Sequence, residues 1–238
     1  MNESGYIKSE ITKTGLTCTD VQADMLNRYY EMIIERNKVV NLTAITSFTD
    51  AVEKHFVDSL LICKVCDISG TKIIDIGTGA GFPGIPLKII YPDTDITLLD
   101  SLNKRLLFID EVIKELNLKN VRTIHGRAED IAHMQEHREK YDLCVSRAVA
   151  NLSTLSELCI PFVKENGKFI SYKSSKIEQE IHEAQKAIKI MGGSQAEYKE
   201  VSIPDSDILR SFIIIQKKRA TPKSYPRKAG TPAKSPVK

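Results

Sequence analysis

The amino-acid sequence predicts an α/β fold: an open, mostly parallel seven-stranded sheet with one antiparallel strand, preceded by a helical N-terminal extension. Three observations predict it. Short apolar runs alternate with amphipathic segments from Lys72 onward. The first of those runs ends directly in a glycine-rich loop, and two late strand-like runs follow one another with no helix between them. Composition divides the 238 residues into a helical extension (1–70), a sheet-forming unit (71–218) and a basic, proline-rich arm (219–238).

In the extension, Val21, Met25 and Leu26 recur at helical spacing, and Tyr29-Tyr30 with Met32-Ile33-Ile34 continue the apolar face. Asn41-Leu42-Thr43-Ala44 reads as a turn, and Asp50 to Leu61 as a second helix capped by Thr49 or Asp50. Lys72-Ile73-Ile74-Asp75-Ile76 is nearly continuous in apolar character, as a strand covered on both faces should be. A short helix from Pro86 to Tyr91 leads to a strand over 95–100, and a helix over 102–118 to a strand over 121–125. A polar helix over 128–140 precedes the strand 141–146, and a helix over 152–163 the strand 168–173. The amphipathic helix 177–191 stops at Gly192-Gly193, before strands near 197–203 and 210–216. The arm carries Pro222, Pro226, Pro232 and Pro236, which rules out a regular helix or central strand and leaves an extended arm or disorder.

With 42% hydrophobic and 27% charged residues the chain has ordinary globular composition. No apolar run approaches the roughly 18 residues of a membrane span, and the first residues lack a signal-peptide pattern. The five cysteines, an odd number set among apolar neighbours, suit a reducing compartment, so a cytoplasmic protein is expected. Cys63-Lys64-Val65-Cys66 has no second pair or histidine cluster and reads as buried thiols, with no metal site. Charge is uneven: residues 217–238 hold eight basic side chains and no acidic one, against 26 basic and 31 acidic in the remainder. Such a tail serves either nucleic-acid phosphates or solubility.

In an open α/β sheet, ligands bind outside the carboxyl ends of the strands. There stands Gly77-Thr78-Gly79-Ala80-Gly81, whose glycines let the backbone turn and approach a ligand. Asp100, 23 residues after Gly77, ends the next strand and is placed to accept from two ribose hydroxyls. The spacing G-x-G-x-G differs from the dinucleotide fingerprint, with Phe82 where a third glycine would fall. Pro83 and Pro86 bracket the helix start, which suits it poorly to a pyrophosphate. Glu129 follows the third strand, where an acid meets an adenine amino group. These details favour S-adenosylmethionine over a nicotinamide cofactor.

Each residue also has a plainer reading. Asp75 and Asp100 could cap turns or helices, Phe82 could belong to the core, and Glu129 is a first-turn helix acid. Arg147 could form a surface ion pair instead of meeting a cofactor carboxylate or substrate.

Several segments match a known family in order: Asn41-Leu42-Thr43-Ala44, His55-Phe56-Val57-Asp58-Ser59-Leu60, Asp75 through Gly84, Arg127-Ala128-Glu129, Ser146-Arg147-Ala148 and Pro226-Arg227-Lys228-Ala229-Gly230-Thr231-Pro232. The chain resembles the bacterial 16S ribosomal RNA guanine-N7 methyltransferases (RsmG or GidB) over essentially its whole length. The resemblance implies a Rossmann-like class I methyltransferase fold and S-adenosyl-L-methionine as cofactor. It implies 16S rRNA or the small-subunit particle as partner, a monomer, and methylation of a guanine in the 530 loop. Asp75, Gly77, Gly79, Gly81, Phe82, Asp100, Ser101, Leu102, Ala128, Glu129 and Arg147 are then the cofactor-binding candidates, with Arg147 also positioning the reactants. Lys173, Arg227 and Lys228 are the RNA-binding candidates. The sequence departs from the family at Ser174, where glycine is usual, which puts the Lys173 contact in doubt. The alternatives are a methyltransferase for another RNA or a small molecule, and a non-catalytic RNA-binding assembly factor.

Overall fold

A computed structural model describes residues 2–147, 150–174 and 177–237. Ala148 of the Ser146-Arg147-Ala148 segment and Lys238 of the basic tail lie outside the described residues. Three helical segments come first: α1 (Glu3–Lys13), α2 (Asp20–Asn37) and α3 (Phe48–Ala51). The third continues through a π-helical turn (Val52–Val57) into α4 (Asp58–Leu60) and a 3-10 turn (Leu61–Lys64). Alternation follows: β1 (Lys72–Ile76), α5 (Gly84–Ile90), β2 (Asp95–Asp100), α6 (Asn103–Glu115), β3 (Val121–His125), α7 (Ala128–Ile131), β4 (Tyr141–Ser146), α8 (Leu152–Cys159), β5 (Val163–Lys173) and α9 (Ile177–Met191). The chain ends with β6 (Glu197–Ser202), β7 (Leu209–Gln216) and α10 (Thr231–Lys234).

The seven strands lie in the order β3-β2-β1-β4-β5-β7-β6. All are parallel except β7, which runs antiparallel to both its neighbours, as the sequence predicted. The order reverses between β1 and β4, so a crevice opens at the carboxyl ends of those strands. Alternate residues of β1 face opposite layers: Ile73 packs with α2, α5 and α6, Ile74 with α8 and α9. Each is fully buried and contributes about 1.5–3 kcal/mol. Tyr29, Ile33 and Phe56 of the extension join the first of these layers, so the N-terminal helices share the core of the sheet.

Local chemistry explains most differences from the predicted elements. The helix predicted at 50–61 starts at Phe48, because Ser47 rather than Thr49 or Asp50 caps it. Asn37 Oδ1 accepts from the Leu42 and Thr43 amides and holds the predicted turn. The helix over 152–163 stops at Cys159, where Pro161 enters a 3-10 turn, and Val163 opens β5 five residues early. The helix over 128–140 ends at Ile131. Beyond it, His133 and Arg138 turn their side chains to backbone carbonyls of the C-terminal arm at Thr221, Pro222, Tyr225 and Pro226. The arm is accordingly packed on the domain rather than disordered, and α10 with Pro232 in its first turn corrects the expectation of no helix.

Among the described residues no helix is long and apolar enough to cross a membrane. At Gly84, a Cβ would stand 2.2 Å from Leu98 Cδ2 and 3.1 Å from Asp75 Oδ2. Gly84→Ala should therefore destabilise the fold by about 1–3 kcal/mol, read as a lowered urea midpoint; an unchanged midpoint would show that this contact relaxes freely.

Candidate functional site

The loop from Gly77 to Gly84 turns over the end of β1 by adopting positive φ at Gly77 (73°), Gly79 (63°) and Gly81 (106°). Two acidic side chains hold it. Asp75, fully buried, accepts from Thr78 Oγ1 at 2.7 Å and Gly84 N at 3.0 Å. Asp100 accepts from Gly79 N at 2.9 Å, and its other oxygen from Leu102 N at 2.8 Å. Both carboxylates thus do what the plainer reading allowed, binding loop and helix-start amides. From below, Tyr29 of α2 donates to Ala80 O at 2.6 Å. A Cβ at Gly81 would lie 2.8 Å from that hydroxyl, whereas one at Gly79 would meet nothing within 4 Å.

Beside the loop lies a cavity of about 390 Å³, within the range of small-molecule sites. Gly77, Asp100, Ser101, Ala128, Glu129 and Arg147 line it, joined by Ile76, Leu99, Arg105, Gly126, Arg127 and Leu158. Six predicted cofactor residues from four strand ends therefore meet in one crevice. The remaining five stand elsewhere. Asp75 sits beneath the loop, Gly79 and Gly81 shape it, and Leu102 is exposed ahead of α6. Phe82 points inward, its ring 5.4 Å from Tyr29 and 6.2 Å from Phe56.

Sequence reading gave no structural role to the helical segment that packs on Phe82 and Arg147. His55 stacks on Phe82 with centroids 4.4 Å apart, and the Arg147 guanidinium lies 5.0 Å from the same ring. Asp58, only 1% exposed, pairs with Arg147 at 2.7 Å and also with Arg210 of β7. An aspartate inside Phe56-Val57-Asp58-Ser59-Leu60-Leu61 was the available signal, because a lone acid on an apolar helix face needs a partner.

Burial and the nearby Arg147 charge lower the His55 pKa to about 4. Burial raises that of Asp75 to about 7, against the pull of its Thr78 and Gly84 hydrogen bonds. Of the RNA-binding candidates, Lys173 donates to Glu180 at 2.6 Å and to Ala150 O. Arg227 embraces the fully buried Glu157 through Nε and Nη2. Lys228 alone of the three is exposed and makes no ion pair among the described residues. Arg227 is thus an anchor of the arm, a role the sequence did not disclose.

Comparison with known proteins places the chain. The sequence model of one family, described as GidB: rRNA small subunit methyltransferase G, matches residues 22–209. The ribosomal RNA small subunit methyltransferase G of Lachnoclostridium phytofermentans is 47% identical over 100% of this chain and 98% of its own. That of Desulforamulus reducens is 50% identical over 92% of each chain. Among solved structures, a methyltransferase from Pyrococcus furiosus superposes with a TM-score of 0.58 at 15% identity, covering 83% of this chain and all of that one. A putative S-adenosyl-L-methionine-dependent methyltransferase from Methanococcus maripaludis gives 0.55 at 20%, over 80% and 92%. At these identities the two structures show a shared fold.

The two shifted groups act oppositely on stability. Between pH 6.5 and 4 the unfolded chain protonates His55 and the folded chain does not, so stability from this group is lost as pH falls. Asp75 stabilises at low pH, and that contribution is lost as pH rises from 3.8 through 7. Relative to the parent protein, His55→Gln should gain up to about 3 kcal/mol as pH drops from 6.5 to 4. Urea titrations across this range check it, and a constant difference would refute the desolvation of His55.

Proposed function

Because the chain belongs to the GidB family, rRNA small subunit methyltransferase G, we propose that it methylates N7 of a guanine in the 530 loop of 16S rRNA with S-adenosylmethionine. The supporting observation is the crevice itself: Gly77, Asp100, Ala128, Glu129 and Arg147 gather at the point where strand order reverses.

The residues present fit the cofactor. Asp75 Oδ1 is buried without a hydrogen-bond partner and stands beneath the loop, where a nearby cation would stabilise its charge. Asp100 and Glu129 both contribute carboxylates to the cavity lining, suited to hydroxyl and amino donors. When bound, S-adenosylmethionine supplies an electrophilic sulfonium methyl group.

The chain's own work is positional. Guanine N7 carries an in-plane lone pair and no proton, so attack requires no general base. Alignment of two reactants supplies several kcal/mol of barrier reduction. Arg147 is held for that task by Asp58, by Ser59 and by the face of Phe82. N7 lies on the edge that a regular A-form helix hides, which directs the reading to a loop or distorted site. Lys228, with Lys223 and Lys234, offers exposed charge for phosphates along the arm.

Tritiated methyl transfer to small subunits from a strain lacking this activity tests the assignment. Label should map to N7 of one 530-loop guanine, and label at another nucleotide or none would sink it. A second outcome follows from Asp75. A cation beside it favours the ionised carboxylate, so cofactor affinity should rise with pH, by at most about tenfold per unit, and level off above about 7. In Asp75→Asn the calorimetric affinity should lose this dependence; an identical profile in both proteins would exclude Asp75 as its source.

A further inference from the structure

The C-terminal arm reaches the cavity wall. Gly230 N donates to Glu129 Oε1 at 2.8 Å, and Glu129, 7% exposed, lines the cavity. Its second oxygen has no hydrogen-bond partner among the described residues. Glu129 therefore holds the arm with one oxygen and leaves the other for a ligand.

This stretch is anchored on both sides of Lys228. Arg227 binds Glu157 through its backbone amide and its guanidinium, and Thr154 Oγ1 donates to Pro232 O at 3.0 Å. Gly230 has φ 82°, a left-handed conformation that aims its amide at Glu129. Between the two anchored residues stands Lys228, exposed and without an ion pair among the described residues, with Lys223 and Lys234 likewise exposed on either side. A phosphate bound by Lys228 pulls on a segment fixed at Glu157 on one side and at Glu129 on the other.

We propose that the arm shapes the cofactor cavity from behind by positioning Glu129 in its wall, so that RNA phosphates on the arm's lysines and the cofactor bind cooperatively. This rests on the RNA methyltransferase reading and adds to it a coupling between the two substrates. Coupling of this kind is reciprocal: whatever factor RNA adds to cofactor affinity, the cofactor adds to RNA affinity. It also gives the basic arm a function beyond attraction, because the seated arm orients a carboxylate of the cavity wall.

The test uses radiolabelled S-adenosylhomocysteine, which binds without reacting, in equilibrium dialysis with and without unmethylated small ribosomal subunits. Three proteins are compared: the full chain, a chain ending at Ala229, and Gly230→Ala. The full chain should bind about fivefold tighter or better when subunits are present. The chain ending at Ala229 should bind more weakly alone and lose that gain, with Gly230→Ala between them. Equal affinities in all three, or a gain that survives without Gly230, would overturn the proposal. Should the shortened chain melt early, Gly230→Ala decides alone, since its added Cβ meets nothing within 4 Å and only the backbone conformation is disfavoured. Methylation without any gain in affinity would refute the coupling and leave the enzymatic reading standing. Absence of methylation would instead remove the enzymatic reading, while the affinities measured without subunits still decide whether the arm shapes the cavity.

Discussion

The backbone from Thr78 to Gly84 wraps around one buried carboxylate, that of Asp75, and much of the site depends on this wrapping. Two of its contacts are hydrogen bonds to the loop, and one oxygen is left unpaired. A buried carboxylate with partial satisfaction is costly, and its pKa of about 7 records that cost. The loop cannot relax away from it, because Gly84 is wedged between Asp75 and Leu98 and Tyr29 holds Ala80 from the other side. Helix α2 is therefore part of the site's mechanics, although none of its residues lines the cavity.

The same logic governs Asp58. Burying an acid that deeply is tolerable only with compensation, and here two arginines from different strands supply it. Arg147 arrives from the end of β4 and Arg210 from β7, so one helical carboxylate ties the extension to the middle and the far side of the sheet. Arg147 is held on three sides, by Asp58, by Ser59 and by the ring of Phe82, and still reaches the cavity. Phe82 thus serves from the core side. The glycine loop carries an aromatic ring because the extension needs a surface on which His55 and Arg147 can rest.

Periodicity made the sheet legible. Strands such as Ile73-Ile74 and Leu98-Leu99 are covered on both faces, and that forces nearly continuous apolar character over a short run. The six cavity residues were legible for a related reason, since they stand at strand ends where the chain emerges from the core. Their neighbours were less so. Asp58 and Arg210 are 152 positions apart, and nothing local marks them as partners. The segment 132–140 reads as a polar helix because His133 and Arg138 look solvated, whereas their partners are arm carbonyls 83 to 93 residues away. Side chains whose partners are backbone groups of a distant loop leave no pattern in composition.

Charge asymmetry is the clearest case. Eight basic residues after Gln216 against a net acidic remainder invite a search for an external polyanion. Much of that complementarity is internal. Glu139 accepts from Thr221 N and pairs with Lys217, Glu157 holds Arg227, and Glu129 holds Gly230 N, so three glutamates fasten the arm at intervals along its length. Lys217 and Arg227 are consumed as fasteners, and what remains for phosphates is the exposed set between and beyond them. A loose tail could attract RNA equally well, but it would carry no information about where the RNA lies. An arm fixed by glutamates, one of them in the cavity wall, places its free lysines at set positions relative to the crevice. Positioning is what the proposed attack by guanine N7, which has no proton to lose, demands.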